Sequence, residues 1–187
     1  MTPAARVSAA IEVTADIETR RRPAADVLKD WGLAHRFAGS SDRAAIAGLV
    51  YDALRRRSSS AWLMGEETPR AVLIGMLHRE RGLDVEQISA LCNGTRFAPE
   101  PLTDGERAAL VGTALADAPA SVLGDYPQWL DPHLAGVFGD ERAAEGAALA
   151  SRAPLDLRAN TLKGERDETL AKLAHLGAEP TRWSPIG

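Results

Sequence analysis

Two arginine triplets, Arg20-Arg21-Arg22 and Arg55-Arg56-Arg57, are the residues of this chain best suited to a chemical task. A guanidinium is a planar fork of N–H donors that matches a phosphate, so clustered arginines point to phosphate recognition. Arg43 lies between the triplets, and Arg158, Asn160 and Lys163 combine cation and amide within Leu157-Arg158-Ala159-Asn160-Thr161-Leu162-Lys163. These ten positions are the candidate phosphate contacts. Each also has a structural use: cations at a helix C-terminus complement its dipole, and the Arg158 and Asn160 side chains can cap or pair locally. Consecutive residues spread around a helix, so at least two of Arg55, Arg56 and Arg57 must face solvent.

Other chemistries find little support. No Gly-x-Gly-x-x-Gly loop, Gly-x-Ser-x-Gly elbow or Gly-Lys-Ser/Thr phosphate loop occurs, so no catalytic residue and no cofactor-binding residue is assigned. The single cysteine, Cys92, has no partner for a disulfide or a zinc site and reads as a small buried helix residue. His35, His78, His133 and His175 fall on separate predicted elements, which leaves a catalytic histidine or a metal site without partners. Glu66-Glu67 are read as loop charge.

The net charge of −4 argues against a freestanding high-affinity nucleic-acid binder. Its distribution is uneven, with ten Lys/Arg against seven Asp/Glu in residues 1–60 and twelve against nineteen thereafter. Basic character is therefore concentrated early. No run approaches the roughly 18 apolar residues of a membrane span, and Glu12, Asp16 and Glu18 interrupt any apolar leader. A cytoplasmic protein without a membrane partner is expected.

The elements that would carry these residues are mostly helices, since 34 alanines and few aromatics favour close helix packing. The periodicity predicts helices over about 3–19 and 23–31, and a third after Ser40-Ser41-Asp42 with Ile46, Leu49, Val50, Ala53 and Leu54 inward. Thr68-Pro69 opens a helix apolar on nearly every face; Asp84 and Thr103-Asp104-Gly105-Glu106 cap two more. The bundle is expected to close at residue 118, with a junction over 119–130. Residues 131–187 then read as two helices and a β-α-β fragment: strand alternation from Leu155 to Asn160, a helix over 165–176, and an extended piece to Trp183. Trp129, beside the junction, is expected to be buried, and Trp129→Ala to destabilise the chain.

Asp42-Arg43 through Leu49-Val50-Tyr51-Asp52-Ala53-Leu54-Arg55, together with Arg70-Ala71-Val72-Leu73-Ile74-Gly75-Met76-Leu77, resembles the N-terminal NusB-like region of the RsmB/Sun (Fmu-like) RNA cytosine-5 methyltransferases. Pro127-Gln128-Trp129-Leu130 resembles that family's Pro-x-Trp-Leu junction. Arg158-Ala159-Asn160 resembles its Arg-x-Asn strand. Residues 92–115 follow a different course from the late helix of many NusB-like domains, so no RNA contact is carried over there.

The resemblance implies a mainly α chain, truncated before its catalytic domain, that recognises structured rRNA for an S-adenosylmethionine-dependent enzyme. The family's glycine-rich cofactor segment and its Pro-Cys and Thr-Cys cysteines do not occur, so no cofactor is expected to be bound by this chain and the chain alone is expected to be inactive. The expected partners are structured RNA, its own C-terminal catalytic domain and, in a rival reading, a protein partner in transcription antitermination or an adaptor role. The acidity of the chain leans toward that rival.

Overall fold

In the computed structural model, which describes residues 1–112 and 114–186, the chain divides into two compact units, Met1–Ser151 and Arg152–Gly187. Helix α1 (Pro3–Arg20) starts where the Thr2 hydroxyl accepts the Ala5 N–H at 3.1 Å and ends at Arg21, whose φ of 51° closes it with a left-handed cap. Helices α2 (Ala24–Ala34) and α3 (Ser40–Arg55) follow the predicted spacing. The chain does not leave the helix at the second triplet; it bends at Arg56 and continues as α4 (Arg57–Met64). Ser59 and Ser60 hid that helix, because buried serines break an apolar pattern without breaking a helix.

Helix α5 (Pro69–Arg79) is the centre of the bundle, with every residue from Ala71 to Leu77 buried. Around it stand Val7, Ala10 and Val13 of α1, Ile46, Val50 and Ala53 of α3, and Ile88 of α6 (Val85–Leu91). Apolar surface removed from water drives that assembly at about 25 cal/mol per Å². Cys92, at the end of α6, is buried in the same core, and burial pushes its thiol up, as suits an inert packing residue. Helix α7 (Asp104–Gly112) starts with reciprocal Thr103–Glu106 hydrogen bonds of 3.1 and 2.8 Å.

The expected junction is packed into this first unit. Helix α8 (Ala120–Leu123) and α10 (Arg142–Leu149) lie together, with α9 (Asp131–Phe138) between them in sequence. Tyr126 is wedged between Gly124 and Gly146, where an added Cβ would stand 2.5 Å from its ring, and its hydroxyl donates to Asp131 at 2.7 Å. Trp129 is 69% exposed, so its expected burial is corrected: the aromatic that buries here is Tyr126, three residues earlier. With most of the Trp129 surface already in water, Trp129→Ala has little burial to lose.

The second unit holds α11 (Arg166–Leu173), extended by a 3-10 turn to Gly177. The predicted β-α-β fragment is not formed, and no strand occurs among the described residues. One backbone hydrogen bond, Ala159 N–H to Ile186 O at 2.8 Å, joins the two segments that were to pair. A ladder needs a series of such bonds. Leu155 and Leu157 are exposed, so the alternation has no surface to pack against.

Three carboxyls of the first unit are held below the usual range. Hydrogen bonds from the Met1 ammonium and Arg6 do this for Asp42, and those from Tyr126 and Arg142 for Asp131. Burial pushes Glu106 up, but the hydrogen bonds from Arg70 and Thr103 outweigh it. A depressed carboxyl contributes stability above its unfolded pKa, about 4, and loses it as pH falls through the folded value. The melting temperature is therefore expected to be level between about pH 6 and 8 and to drop below about pH 4. Glu106→Gln should make that acid limb shallower in melts followed by circular dichroism, and an unaltered limb would contradict the assignment.

Candidate nucleic-acid interface

The first triplet closes α1. Arg20 Nε meets Asp16 at 2.6 Å, one turn back, while Arg22 meets Asp30 at 2.7 Å, a hydrogen bond that raises its guanidinium pKa further. Arg21 is exposed in its left-handed position, with no carboxylate partner among the described residues.

The second triplet spans the bend between α3 and α4. Arg55 pairs with Asp52, which also receives Arg81. Arg56 turns inward: its side chain is 11% exposed, its Nε donates to Glu80 at 2.8 Å, and its Nη1 lies 3.6 Å from Asp125. Arg57 reaches Glu18 of α1 at 3.0 Å and Glu67 at 3.7 Å. The Glu18 bridge brings the start of α4 beside the last turn of α1, so Arg57 and the first triplet share one end of the bundle.

Magnitudes separate these arginines. An exposed ion pair is worth about 0–1 kcal/mol, so Arg20, 65% exposed, and Arg57 can exchange a carboxylate for a phosphate. Breaking a buried pair costs about 3–5 kcal/mol, which commits Arg56 to the fold. Arg43 is exposed, with Nε donating to Ala38 O at 2.8 Å.

In the second unit Arg158 is exposed and borders a cleft of ≈ 850 Å³ whose other walls include Leu157, Leu170, Leu173 and Trp183. Asn160 is engaged in a local turn, its side chain accepting the Leu162 N–H at 3.1 Å and its carbonyl the Lys163 N–H at 2.8 Å. Lys163 is exposed.

Two groups were not foreseen from the sequence. Asp125 gathers Arg79, Arg56 and Ser59, and no local pattern announces a cluster whose members lie so far apart in sequence, 66 residues between Ser59 and Asp125. Arg36-Phe37, Arg96-Phe97 and Arg182-Trp183 all expose their aromatic ring, and in the last two the guanidinium lies 4.7 and 4.2 Å from the ring centroid. That signal was present, as arginine preceding an aromatic three times.

Among the described residues no group of His, Cys, Asp and Glu could hold a metal ion, and no helix is long and apolar enough to cross a membrane. No strand leads through a glycine-rich turn into a helix among the described residues. What the first unit does assemble is a helical bundle with exposed cations at its helix ends.

Residues 126–187, about a third of the chain, match the family described as Methyltr_RsmF/B-like, ferredoxin-like domain. The match relates this part of the chain to the RsmF/RsmB-type rRNA methyltransferases. It begins at Tyr126, so its first portion packs within the helical unit and the remainder forms the second unit. No curated protein and no solved structure matches the chain.

Proposed function

We propose that this chain is the RNA-recognition region of an S-adenosylmethionine-dependent rRNA cytosine-C5 methyltransferase, with residues 1–118 as a NusB-like bundle that positions RNA for a catalytic domain outside the chain. The match of residues 126–187 carries this reading. The cations at the joined ends of α1 and α4 support it, because Arg20, Arg21 and Arg57 can reach phosphates without dismantling the core. The chain itself transfers no methyl group, holds no S-adenosylmethionine and works in the cytoplasm.

Binding of the 187-residue chain to structured rRNA fragments tests the reading. Affinity should fall as salt rises, with a slope set by the number of phosphates neutralised, and the triple change Arg20→Gln, Arg21→Gln, Arg57→Gln should flatten that slope by about two to three. A second reading, a protein-interaction module in antitermination or an adaptor, draws on the net charge of −4. No RNA binding below about 100 μM would favour it over RNA recognition.

A further inference from the structure

The turn from α2 into α3 carries an exposed ring on a braced support. Phe37 is 71% exposed, and Leu33 beside it is exposed as well. His35 stands edge-on to Phe37, with centroids 5.7 Å apart, and is itself stacked on Trp31 at 4.2 Å and 15°. His35 Nδ1 bonds to Trp31 O at 2.9 Å, the Ala38 N–H donates to His35 O at 3.0 Å, and Arg43 Nε donates to Ala38 O at 2.8 Å. Ala38 is fully buried between these bonds. The ring is thus held outward by a rigid turn, and its exposure gains the fold nothing, since a buried phenylalanine would stabilise by about 1.5–3 kcal/mol.

Within residues 29–43 the charges are of one sign once pairing is counted, while Glu12 of α1 stands behind the support and accepts the Trp31 Nε1–H at 3.4 Å. Between residues 29 and 43 the carboxylates are Asp30, taken by Arg22 at 2.7 Å, and Asp42, taken by Met1 and Arg6 at 3.1 and 2.8 Å. Lys29, Arg36 and Arg43 have no carboxylate partner among the described residues, and all three are exposed. Lys29 and Leu33 lie one turn apart on the same face of α2, the helix that runs into this turn.

An exposed aromatic among uncompensated cations suits a strand that offers flat bases and phosphates together. We propose that this corner binds an unpaired base of RNA, stacked on Phe37, with Lys29 and Arg36 on the flanking phosphates and Arg43 bracing the turn. The proposal rests on the RNA-recognition reading and adds a site that the arginine triplets do not include. Charge complementarity decides for RNA over an apolar protein segment, which would leave the three cations unanswered.

The test uses the full chain and rRNA hairpins carrying 2-aminopurine at unpaired positions, with affinity read by anisotropy. Phe37→Ala should weaken binding about tenfold or more and remove the 2-aminopurine response, with the salt slope and melting temperature unchanged; Phe37→Trp should retain both binding and response. Lys29→Gln and Arg36→Gln should each lower the salt slope by about one. If the unaltered chain binds these RNAs and Phe37→Ala binds them equally well, this corner is not the stacking site and the proposal falls, while the broader reading stands. If the unaltered chain binds none of them, the RNA reading itself fails, and this site with it.

Discussion

Replacing Asp125 with alanine should lower the unfolding free energy by about 3–5 kcal/mol, the cost of leaving buried charge uncompensated. The carboxylate has no exposed surface. It accepts the Ser59 N–H and hydroxyl, both at 2.8 Å, and Arg79 Nη1 at 2.7 Å, with Arg56 at 3.6 Å. Removing it sets two guanidinium groups beside each other and strips an N–H near the start of α4 of its acceptor. Asp125→Asn separates the contributions. Asparagine tolerates the left-handed backbone of this position, φ 52°, and keeps the volume, so its loss reports the charge. Urea unfolding should show both variants well below the parent, asparagine the milder. A loss under about 1 kcal/mol for Asp125→Ala would contradict the cluster.

That cluster also bears on which arginines can test RNA binding. Arg56→Glu would place a third carboxylate among Asp125 and Glu80, so lost RNA binding in that variant could follow from lost structure. Arg21 and Arg57 are the informative positions, because the exposed pairs they do or do not make contribute little to the fold.

What the sequence made legible follows the reach of each signal. The Thr68-Pro69 start and the Asp84 and Thr103 caps are written within a few residues and appear where read, whereas the third helix begins at Ser40 with Gly39 as its cap, so Ser40, Ser41 and Asp42 lie inside its first turn instead of capping it. Helix α4 was missed because Ser59 and Ser60 are buried polar residues, visible as core only once Asp125 and α5 stand beside them. Alternation from Leu155 to Asn160 describes what a strand would look like if a neighbour paired with it. The single bond from Ala159 is all the pairing present among the described residues. The triplets marked the basic surface, but sequence could not tell that Arg56 points inward while Arg21 remains exposed; that depends on Glu80 and Asp125, far along the chain. Pro127 to Leu130 stood out as a motif, and the family match begins one residue before it, yet the buried aromatic proved to be Tyr126.

Gly75→Ala should destabilise the chain by about 2 kcal/mol or more, although alanine is the better helix former by about 1 kcal/mol. Gly75 lies in the fully buried stretch of α5, and a Cβ there would stand 2.5 Å from Ser60 O, 2.9 Å from Ser60 Cα and 3.0 Å from Ser60 C. These are backbone atoms of α4, so no side chain can turn aside and the two helices must part. Gly136→Ala, on α9 with nothing within 4 Å, is the control in which propensity acts alone, and it should be neutral or slightly stabilising. Thermal melts should therefore separate the two, with Gly75→Ala down by about 4–8 °C and Gly136→Ala level or slightly up. Moving α4 also displaces Ser59 from Asp125, so the two sites are coupled through one helix. Gly75→Ala combined with Asp125→Ala should cost less than the sum of the single changes, since the first already loosens what the second removes. Strict additivity would mean that α4 holds its place on Asp125 independently of its contact with α5.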